Sequence, residues 1–87
     1  MTLTSSQQRV LALHNQMLMP PDVFSYRWEL GAEELAELCG VSKSSAAHWL
    51  SGKTSRRTAG KSYQRLLAVA DFLLLHAERM QPLLERW

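Results

Sequence analysis

Apolar positions recur along this chain at helical spacing, and prolines and glycines divide them into separate runs. Val10, Leu11, His14, Met17 and Leu18 fall on one side of a helix, which predicts a half-buried helix over 5–19. Ser5 or Ser6 caps it, because a short hydroxyl accepts from the orphan amides of a first turn. Pro20-Pro21 stops it by removing two donors and restricting the residue before each ring. From Asp22 to Leu30 the pattern is ambiguous: Val23, Phe24, Tyr26, Trp28 and Leu30 nearly alternate like a strand, while Asp22 can cap a short helix. No second strand exists for this one to pair with, so a short helix or an extended tether is the better reading.

Two short helices follow, over 32–51. Ala32 to Cys39 forms the first, with Glu33 and Glu34 in its opening turn, where carboxylates favour the positive end of the helix dipole. Gly40 ends it. Ser42 caps the second, which reaches Leu50 or Ser51 and is closed by Gly52, a residue that adopts a left-handed backbone cheaply. A polar, basic loop over 52–60 leads to a long C-terminal helix over 61–81. On that helix Tyr63, Leu66, Leu67, Ala70, Leu73, Leu74, Ala77 and Met80 form one apolar stripe. Ala68, Phe72 and Leu75 form a second patch pointing elsewhere, with Gln64, Asp71 and Glu78 along one boundary. A helix apolar on two faces has two things to bury against. Pro82 kinks or ends it and leaves Leu83, Leu84 and Trp87 as an apolar tail. The expected fold is a single all-α domain.

Composition sharpens this picture. At 87 residues and 46% hydrophobic, the chain has a small core, and a monomer of this size buries only roughly 60% of its unfolded surface. Self-association is therefore expected. The one cysteine, Cys39, excludes an internal disulfide framework and fits a reducing compartment. Its slot beside Gly40 is apolar, so a buried, unreactive thiol is the reading. A cytoplasmic protein is expected, since no charged leader precedes an apolar run and Leu66 to Leu75 falls short of the ~20 apolar residues a membrane span needs. Charge is unevenly placed. Between Leu38 and Ala70 there is no carboxylate, yet Lys43, Lys53, Arg56, Arg57, Lys61 and Arg65 lie there, although the formal net charge of the whole chain is only +2. A gathered cationic segment of this kind points to a polyanionic partner.

Leu35-Ala36, Cys39-Gly40-Val41-Ser42, Ala46 and Trp49 stand at spacings that resemble the helix-turn-helix of lambda-repressor-like bacterial transcription regulators, over about residues 33–52. Each match has a physical reason. Ala36 is small where two helices cross, Gly40 makes the turn, and Val41, Ala46 and Trp49 fill the angle between them. The resemblance implies that the helix starting at Ser42 enters the major groove of duplex DNA in a nucleoid-associated regulator. The outward residues Lys43, Ser44, Ser45, Ala47, His48 and Ser51 would then face base edges. Lys53, Thr54, Ser55, Arg56, Arg57 and Lys61 would meet phosphates, contacts that need only charge or a donor. Two departures matter: Ala32 stands where a glutamine often helps anchor phosphate, and the groove helix offers no Arg, Asn or Gln for bidentate readout. Direct discrimination between sequences is expected to be modest.

Other chemistry is poorly supported. His14 and His76 have no Cys or His partner at ligand spacing, so neither a metal nor a cofactor is expected. No nucleophile, base and orienting group form a set, and no glycine loop cradles phosphate, which argues against an enzyme. Phe24, Tyr26 and Trp28 around Arg27 are better read as core than as a platform for stacking bases. The function expected is sequence-specific or semi-specific binding of double-stranded DNA by a homodimeric regulator, with Phe72, Leu75, Leu83, Leu84 and Trp87 at the interface between copies. The rival is an antitoxin-like or adaptor module whose C-terminal helix docks another protein.

Overall fold

Thr4, rather than Ser5 or Ser6, starts the first helix, because Gln7 completes a reciprocal cap with it. The Thr4 hydroxyl accepts from the Gln7 amide at 3.1 Å, and the Gln7 carboxamide oxygen accepts from the Thr4 amide at 2.9 Å. The computed structural model describes residues 1–51 and 59–87. Every element in them is helical: α1 (Ser5–Gln16), α2 (Pro21–Trp28), α3 (Ala32–Cys39), α4 (Lys43–Leu50), α5 (Lys61–Leu75), a 3-10 turn (Ala77–Met80) and α6 (Gln81–Leu84). The all-α expectation holds, and no described helix is long and apolar enough to cross a membrane.

The strand-like stretch is a helix. Pro21 sits in its first turn with φ already fixed for helix, and Asp22 favours the positive end of the dipole. Spacing of three and four residues then puts Pro21, Phe24, Ser25 and Trp28 on the inner side, with Phe24 wholly buried. Val23 and Tyr26, which supplied the alternation, are the exposed positions, and Tyr26 keeps 89% of its surface. Since Phe24 lies in the core, the aromatic trio forms no common stacking platform.

Phe24, Leu35, Cys39, Ala46, Trp49, Ala59 and Leu67 make one core cluster, so α2, α3, α4 and α5 share a single centre. Asp71 joins it as a buried carboxylate. One of its oxygens accepts from the Arg27 guanidinium at 2.8 Å and from the Trp28 indole at 2.9 Å, tying α2 to α5. Gln64 also faces inward: its side chain donates to the Ala59 carbonyl at 2.8 Å, and its own carbonyl accepts from the Met19 amide at 3.1 Å.

Those two polar residues rotate α5 away from its expected setting. Its buried positions are Leu67, Ala68 and Asp71, with Tyr63, Gln64 and Ala70 half-buried beside them, whereas Leu66, Leu73 and Leu74 are exposed. Ala68 therefore belongs to the core and not to the outward patch. A polar side chain with its hydrogen bonds made, as Asp71 has from Arg27 and Trp28, can occupy an interior position, and an apolar stripe alone does not reveal that.

The expected helix over 61–81 is shorter, ending at Leu75. His76 has φ −113° and ψ 28°, and its amide is shared between the Phe72 and Leu73 carbonyls at 3.2 and 3.3 Å. Pro82 accounts for the tightened turn that follows. It has no N–H for the Glu78 carbonyl, and its ring would clash with that carbonyl in a continuous α-helix. The chain takes a 3-10 turn instead, and Pro82 opens α6 rather than ending a helix.

At the other end, α1 stops at Gln16 instead of Met19 and buries no residue, so the half-buried face is absent within one copy. Val10 is 63% exposed. Arg65 holds the helix in place by donating to the His14 and Asn15 carbonyls at 3.2 and 3.1 Å, at the negative end of the dipole, where the His14 carbonyl also accepts from the Met17 amide.

Candidate nucleic-acid interface

Gly40, Val41 and Ser42 are the whole connection between α3 and α4, and this pair packs more extensively than any other two elements. Gly40 has φ 68° and ψ 35°, the left-handed region that a residue without Cβ enters cheaply. The Gly40 amide and that of Val41, at 3.1 Å, both reach the Ala36 carbonyl and close the end of α3. Ser42 then starts α4, its hydroxyl accepting from the Ser45 amide at 3.1 Å. The elements and bounds expected for 32–51 are present: helix, three-residue turn, helix.

Two inward side chains fix how α4 is turned. Ala46 is fully buried, and Trp49 packs its ring against Tyr63 of α5 at 5.2 Å between centroids and 39° between planes. Trp49 is thus a core residue, as its slot predicts. Cys39 lies behind the turn with Sγ 4.0 Å from the Tyr63 carbonyl. Burial pushes its thiol up from the ordinary value, which keeps it protonated at neutral pH and poor as a nucleophile or ligand.

With that face committed, Lys43, Ser44, Ser45, Ala47 and His48 all lie exposed on the other side of α4. Ser45 is partly engaged, since its hydroxyl stands 3.0 Å from that of Ser42. Ser51 is half-buried at the far end of the helix, its amide bound to the His48 carbonyl at 3.3 Å. Lys61 is exposed in the first turn of α5. Lys53, Thr54, Ser55, Arg56 and Arg57 lie outside the described residues. Arg65 is the cation whose task sequence reasoning missed. It belongs to the basic segment by position but serves α1, and the apolar run that follows it gave no sign of a partner fifty residues away.

The charges of the motif are segregated. Glu33, Glu34 and Glu37 are exposed on α3, while the exposed face of α4 carries Lys43 and His48 and no carboxylate. Glu34 also accepts from the Gly31 amide at 3.0 Å, closing the start of α3. Among the described residues no three His, Cys, Asp or Glu side chains gather around a point where a metal ion could sit. Of the interface residues expected toward another protein copy, Phe72, Leu75, Leu83, Leu84 and Trp87 are all exposed, and Trp87 retains 98% of its surface.

The chain matches no family model, no curated protein and no solved structure.

Proposed function

We propose that this chain binds double-stranded DNA as a homodimeric transcription regulator of the helix-turn-helix kind, resembling lambda-repressor-like regulators and acting at the nucleoid. The observation that carries the proposal is the division of α4: Ala46 and Trp49 anchor one face, and a carboxylate-free face with Lys43, Ser44 and His48 is left to solvent directly after the turn. A rigidly packed helix with a free, cationic first turn is what the major groove admits. The acids on α3 favour the orientation in which they stay away from phosphate.

In this reading Lys43, Ser44 and His48 meet base edges, with Ser45 and Ala47 beside them and Ser51 further along. Lys61 and the segment holding Lys53, Thr54, Ser55, Arg56 and Arg57 supply phosphate contacts, which carry affinity and its salt dependence but little sequence information. Ser44 and Ser45 tolerate several bases and α4 offers no Arg, Asn or Gln for bidentate readout, so discrimination is semi-specific. Selection of bound sequences from a random duplex library tests the proposal. A palindromic product with half-sites about one helical turn apart is the expected outcome. Failure of the intact, helical protein to retard any duplex at moderate salt overturns it.

The exposed apolar residues after Phe72 favour a second reading, an antitoxin-like or adaptor module that docks a different protein. It predicts a monomer that leaves duplex DNA unretarded and acquires a stable mass only with that partner.

A further inference from the structure

The chain exposes more surface than a folded monomer of this mass presents, and the end of α5 with the arm that follows it, like α1, holds exposed large apolar side chains. The accessible area is 6932 Å² for a 9.9 kDa chain, against about 5,200 Å² for a typical folded monomer. Leaving residues 52–58 out of both figures, at the area of a fully extended chain, still leaves an excess of about 900 Å². The radius of gyration agrees, at 14.9 Å where about 12 Å is usual for this length. A stable interface takes about 800 Å² from each partner, so the excess is of the size one dimer contact covers.

Among the described residues two mainly apolar grooves lie on this surface. One, of about 450 Å³ between α3 and α5, includes Leu38 and Ala70, and its only charged lining residues are Glu34 and Glu37. The other, of about 520 Å³, is formed with the arm and lined by apolar residues alone, Leu83, Leu84 and Trp87 among them. Leu73 and Leu74 belong to both. Within one copy α6 packs chiefly on the 3-10 turn before it, so the arm leaves the α3–α5 groove open.

We propose that a second copy of this chain fills it, each copy laying its arm, residues 77–87, into the α3–α5 groove of the other. The arm carries Arg79 and Arg86 beside Glu78 and Glu85, and it is the two arginines that meet an otherwise apolar groove whose only charges are Glu34 and Glu37. Among the described residues the one ion pair is Arg27 with Asp71, so Arg79, Arg86 and Glu37 are free to pair between copies. Because Leu73 and Leu74 border both grooves, a two-fold axis beside them places each arm over the opposite groove at once, the self-complementary arrangement a closed dimer needs. This deepens the homodimer half of the proposed function and rests on that half alone.

Sedimentation equilibrium of the full chain, without DNA, tests it. The wild type sediments at twice the chain mass at tens of micromolar. Trp87→Glu, at a side chain with no fold contact to lose, raises the dimer dissociation constant at least tenfold with unchanged circular dichroism. Glu37→Arg and the double variant Arg79→Glu/Arg86→Glu each sediment as weakened dimers, since like charges then meet at both contacts. Mixed together they form a heterodimer, in which both contacts are again opposite in charge. A wild-type monomer, which would leave the arm to a different protein, overturns the proposal. So does a dimer indifferent to these variants, or a mixture that fails to associate. Since no DNA is present, none of these outcomes bears on whether α4 binds a duplex.

Discussion

The α3–α4 pair and the stretch after Phe72 are built from similarly apolar sequence, yet they end in opposite conditions. In α3 and α4 every third or fourth residue is covered: Leu35, Cys39, Ala46 and Trp49 are buried, and each helix start and the turn between them has a capping partner. Phe72, Leu73, Leu74 and Leu75 are all exposed, although they continue a helix whose preceding turns are in the core. The difference lies in the neighbours. Leu67 has α2, α3 and α4 around one centre, and Asp71 still reaches α2, whereas from Phe72 on α5 has run past them. Periodicity decides which residues share a face, but only a second surface makes that face a core.

The comparison breaks most visibly where the core is deepest. Trp49→Ala is expected to destabilise the fold by about 3–5 kcal/mol through loss of a large aromatic and the cavity it leaves. Urea denaturation followed by circular dichroism measures this. Any loss of DNA affinity should follow from unfolding, so a variant that kept its melting temperature while losing affinity would move Trp49 to the contact surface.

Next in size is the buried polar tie. Asp71→Ala leaves the Trp28 indole N–H and the Arg27 guanidinium without their acceptor, at a cost of about 1–3 kcal/mol in the same assay. Arg27→Ala should cost less, because that side chain is 46% exposed and its ion pair is correspondingly screened. Equal losses for the two would mean that the carboxylate matters to the fold only through Arg27.

How much was legible in the sequence follows the same division. The helix-turn-helix could be read to within a residue, because its signals are local: Ser42 at a cap, Gly40 at a left-handed turn, and inward residues three and four apart. The solvent face of α4 then follows by subtraction. The rotation of α5 could not be read, since Asp71 is interior, and Gln64 half-buried, only by virtue of Arg27, Trp28, Ala59 and Met19, which are distant in sequence or hydrogen-bonded through the backbone. The early end of α5 was equally hidden, because the effect of Pro82 reaches back through Glu78 to a turn beginning near His76. The exposure of α1 has the same root. Its apolar face is periodic, but this copy offers it no partner.

Arg65→Ala sharpens the contrast at that end. With its two hydrogen bonds gone, the hold on α1 weakens by about 1 kcal/mol. Amide hydrogen exchange should quicken in α1 and stay unchanged in α3 and α4. Protection lost evenly across the chain would show that α1 is part of the cooperative core. The smallest change is expected at Glu29, which ends α2 in a left-handed conformation with φ 55°. Glycine pays no Cβ penalty there, so Glu29→Gly should stabilise by about 0.5–1 kcal/mol, read as a higher urea midpoint at constant slope.

The most direct test of the proposed role of α4 is duplex binding by Ser44→Ala, His48→Ala, Arg56→Ala and Arg57→Ala across a salt series, on a selected sequence and on random DNA. The two arginine variants should weaken both duplexes alike and shallow the salt slope by roughly one unit, because each removes a phosphate contact and its released counterions. The two α4 variants should cost about 1–3 kcal/mol on the selected duplex and leave random DNA nearly unaffected. The same pattern from both pairs, or no duplex binding by the wild type, would contradict the assignment of α4 to the major groove.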